Sequence, residues 1–193
     1  IVLKSVIDAA DGELARLKNT PSYVGRYLDS VFDIILNFLF VLTICFVSET
    51  PLWMAFLAFF CIQLQGTLYN YYYVILRHKS VGGDATSKIF EYKSPTALPG
   101  EKQRNVDILF RIYTIVYGLF DKIIHALDRN AYKVKTFPNW FMTAISIYGL
   151  GFQLLLIAIM LPLNLIEYIL PFFIIFTVFL FVFIAIRKRY IKA

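Results

Sequence analysis

The sequence predicts an all-α, polytopic transmembrane helical bundle, and three observations predict it. Of its 193 residues, 59% are hydrophobic and 17% charged, against about 45–50% and about 25% in soluble domains. Several apolar runs reach the roughly 20 residues that cross a bilayer as helix. The basic residues gather at one set of span ends, as the positive-inside asymmetry of membrane proteins requires. This composition excludes a disordered chain and argues against an ordinary soluble enzyme. Cys45 and Cys61 both lie in apolar runs, so neither a disulfide framework nor a zinc site is indicated. The formal charge of +6 is read as topology, not as a nucleic-acid surface.

The elements follow in order. Residues 1–7 read as the tail of a helix whose start is missing, with no basic n-region or cleavage site that would mark a signal peptide. Residues 27–47 are polar at first and apolar after Asn37. Residues 51–76 open on Pro51, a favourable first helical residue, and end before Arg77-His78-Lys79. Residues 138–161 and 165–186 are two further spans, separated by Pro162-Leu163-Asn164. Trp53 and Trp140 sit near span ends, where interfacial rings belong.

Residues 77–137 differ in character. Gly82-Gly83, Pro95 and Pro99-Gly100 punctuate a polar loop. From 105 to 129, Asp107, Arg111, Thr114, Gly118, Asp121, His125 and Asp128 recur at steps of three and four, one narrow polar stripe on an apolar helix. If that helix crossed the membrane, the final cluster Arg187, Lys188, Arg189 and Lys192 would land outside. If it lies in the interface, all 19 basic residues fall on or near the cytoplasmic side. The second arrangement is the one expected. No internal repeat or second domain is visible, so residues 1–193 are read as a single membrane domain with a cytoplasmic loop and amphipathic helix over 77–137.

The chemistry concentrates near the start. Asp8 and Asp11 are three apart and Asp29 and Asp33 four apart, so each pair shares a helix face. Four carboxylates beside hydrocarbon repel one another and are costly unless cations neutralise them. Hard oxygen ligands with open positions suit Mg²⁺ or Mn²⁺, which complete their shells with substrate phosphates. Two such ions about 3.5–4 Å apart could clamp a pyrophosphate, pointing to metal-assisted phosphoryl-type transfer at the membrane surface. Gly12 and Ala15 leave room for a ligand at the backbone, Arg16 can pair with a phosphate, and Gly25 is expected to let the chain turn before the next helix. Small residues in membrane helices are more often packing residues, and one aspartate pair alone would read as solvated surface.

Residues 8–33 carry D-x2-D-G-x2-A-R-x8-G-x3-D-x3-D at all eight fixed positions. Average composition makes a chance match on the order of one in ten million. On this segment the chain resembles the CDP-alcohol phosphotransferase (CDP-alcohol phosphatidyltransferase) family. The resemblance implies a six-helix membrane fold whose N-terminal part is absent here, and to which the helix of 105–129 is an addition. It implies metal ligation by Asp8, Asp11, Asp29 and Asp33, with two Mg²⁺ or Mn²⁺ ions, and Asp33 as the base that takes the acceptor's proton. It implies nucleotide contacts at Gly12, Ala15, Arg16, Gly25 and Ser22, the last three residues before Gly25. The expected reaction is attack of an alcohol on a CDP-linked phosphorus with release of CMP, by a homodimer in the bilayer.

Other residues carry less. Lys4, Arg77 and Arg111 are candidates for an anionic acceptor, against snorkelling or orientation as the plainer reading. His125 has no Cys or His partner nearby, and Glu13 stands at a variable place in the motif. Gln63, Gln65 and Asn70 either face a polar cavity or bond between helices. The shared motif handles the CDP-metal core and leaves two directions open. The reading leans to CDP-diacylglycerol with a small polar acceptor, the alternative being transfer of a CDP-linked headgroup to diacylglycerol. A cation transporter using the same aspartates is the rival class, and ion flux without CDP-substrate would reveal it.

Overall fold

The computed structural model describes residues 22–79, 91 and 93–191. The helix tail expected over 1–7, and Lys4, Asp8, Asp11, Gly12, Ala15 and Arg16, lie outside the described residues. Within them the regular elements are α1 (Tyr23–Val47), α2 (Leu52–Lys79), α3 (Gln103–Leu127), α4 (Asn139–Ile145), α5 (Leu150–Met160), α6 (Ile166–Phe176) and α7 (Val178–Tyr190). Single 3-10 turns cover Ala131–Lys133 and Ser146–Tyr148. The fold is the expected helical membrane bundle: α1, α2 and the run Ile166–Tyr190 are each long and apolar enough to cross a bilayer. Residues of α4 and α5 make a fourth span when the bent pair, its halves 51° apart, is taken as one.

α1 starts at Tyr23, earlier than the expected 27, because polar groups cap it. Ser22 Oγ accepts from Gly25 N at 2.8 Å, the usual work of an N-cap serine. Glu101, from the far side of the polar loop, accepts from Val24 N at 2.8 Å and from Ser22 Oγ at 2.7 Å. A carboxylate there also complements the positive end of the helix dipole. Gly25 therefore lies within the first turn of α1 and not in a turn before it.

α1 and α2 form an antiparallel hairpin. Phe38 packs its ring against Phe56 at 5.9 Å and Phe59 at 5.0 Å. Val41, Ile44 and Cys45 bury against Ala55, Ala58 and Ile62, and against Ile169, Leu170 and Phe173 of α6. Lipid tails are as apolar as these side chains, so close packing and buried hydrogen bonds hold such helices together. Gln65 Nε2 donates to the Phe173 carbonyl at 2.9 Å and to Thr177 Oγ1 at 2.8 Å, and Gln153 Nε2 donates to Gln65 Oε1 at 3.1 Å. Of the two readings of Gln65, bonding between helices is the one observed. These bonds, with Tyr148 Oη donating to the Phe176 carbonyl at 2.8 Å, serve carbonyls beside the break between α6 and α7. Backbone groups at membrane depth need such partners. The last two expected spans are thus both interrupted, at Tyr148-Gly149 and at Thr177.

α3 packs against both helices of the hairpin, with Phe120 on Phe60 at 5.4 Å. Its Val106 packs with Tyr23 and Tyr27 at the start of α1, and Asp128, just beyond its last turn, meets Tyr72 near the end of α2. Those two places share one end of the hairpin, because the chain reverses between Val47 and Leu52. Ile108, Ile112, Ile115 and Leu119 form an exposed apolar line along the helix. The far end of α3 is fixed by a buried pair. Arg187 of α7 is 4% exposed and Asp128 fully buried. Arg187 Nε donates to Asp128 Oδ2 at 2.6 Å, Arg187 Nη2 is paired with Oδ1, and Tyr72 Oη donates to Oδ2 at 2.7 Å.

Candidate functional site

The first three turns of α1 present Gly25, Arg26, Asp29 and Asp33. Helical geometry sets Asp29 and Asp33 one turn apart on one face. Asp29 is exposed and Asp33, one turn further along α1, is half-buried.

α3 supplies the neighbouring wall. Tyr117 Oη donates to the carbonyl of Ser30 at 3.1 Å, tying α3 to the turn of α1 that links the two aspartates. Burial raises the Tyr117 phenol pKa, and the charges of Asp33, Asp121 and Asp29 raise it further. Asp121, one turn along α3, is exposed by area yet set among protein groups. That partial burial, and then the Glu91 carboxylate, push its pKa up to about 6. Arg26 is held between aromatic rings and a carboxylate. Its guanidinium lies over the Tyr27 ring at 4.5 Å and the Tyr23 ring at 5.6 Å, and Nη2 donates to Glu91 at 2.5 and 2.7 Å. Tyr27 Oη donates to the same carboxylate at 3.0 Å.

The loop before α3 is stitched to the site through Glu101. Burial pulls its carboxyl pKa up, but bonds from Val24 N–H, the Ser22 hydroxyl and Leu98 N–H outweigh this and hold it below the ordinary value. Asp107 is likewise held low, first by the Ser94 hydroxyl and then by Gln103. These bonds fix the register of α3 against the start of α1.

The expected residues fall in three groups. Asp29 and Asp33 share one face of α1, and Ser22 and Gly25 form its cap, with the Ser22 hydroxyl bonded to both Gly25 and Glu101. Arg77 and Arg111 stand on other elements, the former over the Tyr73 ring at 5.8 Å at the end of α2, the latter exposed on α3. Lys4, Asp8, Asp11, Gly12, Ala15 and Arg16 lie outside the described residues, so the four-carboxylate set is represented by its second pair. Among the described residues no group of three or more His, Cys, Asp and Glu is arranged to hold a metal.

Tyr113, Tyr117, Glu91 and Glu101 had no place in the sequence reading of the site. Asp121 did appear in the polar stripe of 105–129, and that stripe was the available signal. A helix whose polar residues all recur on one face has something polar to address.

Comparison with known proteins adds one positive finding. The family model for CDP-alcohol phosphatidyltransferase matches residues 1–185. No curated protein and no solved structure matches the chain.

Proposed function

The chain belongs to the CDP-alcohol phosphatidyltransferase family, membrane phosphotransferases of phospholipid synthesis, and from that premise we propose that it joins an alcohol to a CDP-linked phosphoryl group and releases CMP. The alcohol oxygen forms the new bond to the phosphorus that bears the transferred group. The pyrophosphate P–O bond on the far side of that phosphorus breaks, CMP leaves with the electron pair, and the alcohol proton passes to Asp33. The observation that carries this is the pairing of the complete eight-position signature with Asp29 and Asp33 on one face of α1.

The donor set is hard oxygen, which fits Mg²⁺ or Mn²⁺. Asp8, Asp11, Asp29 and Asp33 would hold two ions, whose chemistry is to neutralise the diphosphate and the charge developing on it. The chain's own groups do the rest. Asp33 accepts the proton of the attacking alcohol, a role its half-buried carboxylate supports. Gly12, Ala15 and Arg16 receive the cytidine nucleotide, while Ser22 and Gly25 act through the helix start they build. The site faces the cytoplasm on charge asymmetry, and the protein works as a homodimer.

CDP-diacylglycerol is the favoured donor, with a small polar acceptor. The test is CMP release by the full chain in detergent with Mg²⁺, in two arms. One supplies CDP-diacylglycerol with glycerol 3-phosphate, serine, inositol or inositol phosphate. The other supplies CDP-choline or CDP-ethanolamine with diacylglycerol. Turnover in the first arm alone is expected; turnover in the second alone reverses donor and acceptor.

A further inference from the structure

α3 sets a wall of definite character beside the turn of α1 that carries Asp29 and Asp33. The Tyr117 phenol reaches the Ser30 carbonyl, between Asp29 and Asp33 in sequence. Asp121 follows one helical turn later on α3, and the charges of Asp33, Asp121 and Asp29 converge on that phenol. Asp121 is exposed by area and has the Glu91 carboxylate as a charged neighbour. Arg26, one turn before Asp29 on α1, is paired with Glu91 and clasped by Tyr27.

Building on the reaction proposed above, we infer that Tyr117 and Asp121 form the acceptor wall of the site and select an alcohol without net negative charge over its phosphorylated counterpart. Like charges at close range in a partly desolvated site repel strongly, so a phosphate beside Asp121 is excluded and a hydroxyl-rich or amino-bearing body is admitted. The phenol offers hydrogen bonding to the acceptor's hydroxyl groups without adding charge. Tyr117 also acts as a positioning residue, since its bond to Ser30 sets α3 against the turn that carries the aspartates. The same selectivity applies if the acceptor is diacylglycerol, itself an uncharged alcohol.

The test uses the full chain in detergent with Mg²⁺ and matched acceptor pairs, inositol with inositol phosphate and glycerol with glycerol 3-phosphate, plus serine and the diacylglycerol arm. Wild type is expected to show kcat/KM at least about tenfold higher for uncharged or zwitterionic alcohols than for phosphorylated ones. Asp121→Lys should narrow or invert that ratio about tenfold or more through acceptor KM, leaving KM for the CDP-substrate within about twofold. Asp121→Asn, nearly isosteric, should move the ratio in the same direction and guards against misfolding of the lysine variant. Tyr117→Phe should raise acceptor KM without changing the charge preference. Wild-type preference for a phosphorylated alcohol, or a ratio that neither Asp121 variant shifts, overturns the inference and leaves the CDP-alcohol reaction standing. Absence of CMP release with every alcohol overturns that reaction and the inference together.

Discussion

Glu101 shows how a single side chain far along the chain can set the geometry of a site it never enters. Its carboxylate accepts from Ser22, Val24 and Leu98, and so fixes where α1 begins and how Asp29 and Asp33 are presented. Its folded-state pKa is depressed, so its stabilisation is fully present above the unfolded carboxyl pKa and is lost as pH falls through the folded value. Glu101→Ala is expected to lower the melting temperature in detergent by roughly 2–4 °C at neutral pH, the scale of a lost helix cap. Below the carboxylate range the difference should shrink; a pH-independent difference would count against the charge-assisted cap. No local pattern could have revealed this, because Ser22 and Glu101 are 79 positions apart. The signature residues were legible for the opposite reason, since their spacing within 8–33 is local.

At the scale of elements, the placement of α3 rests on Asp128 and Arg187. In the sequence Arg187 belongs to a basic cluster that marks orientation and Asp128 to the polar stripe. Their pairing across 59 positions joins α7 to the end of α3, with Tyr72 bringing in α2. Removing one partner of a buried ion pair leaves the other charge uncompensated. Asp128→Ala is therefore expected to cost about 3–5 kcal/mol, and a paired Asp128→Leu, Arg187→Met variant to recover most of it. Thermal unfolding in detergent reads both, and a single variant that costs under about 1 kcal/mol would deny the pair its role. Hydropathy located the spans because composition decides membrane residence. It missed the breaks at Gly149 and Thr177; the second depends on side chains of neighbouring helices that take up the backbone carbonyls of Phe173 and Phe176. Pro171, the obvious local breaker, lies inside α6 without ending it.

For the whole molecule, the helical membrane bundle and the family are what the composition and the signature led one to expect, and the family match covers residues 1–185. What the sequence concealed was the relation between α3 and the aspartates. A polar stripe announces a partner without naming it, and here the partner is the face of α1 that carries Asp29 and Asp33. The central claim is that this face carries a metal-dependent, CMP-releasing centre with Asp33 as its base. The most direct measurement is CMP release by the purified full chain with CDP-linked substrate and alcohol, with Mg²⁺ and after its removal by chelator, for wild type, Asp29→Asn and Asp33→Asn. Release by wild type only with the metal, and a fall of at least about 10³-fold in both variants with melting temperature preserved, is the predicted result. Wild-type release rates in a folded Asp33→Asn protein would contradict it.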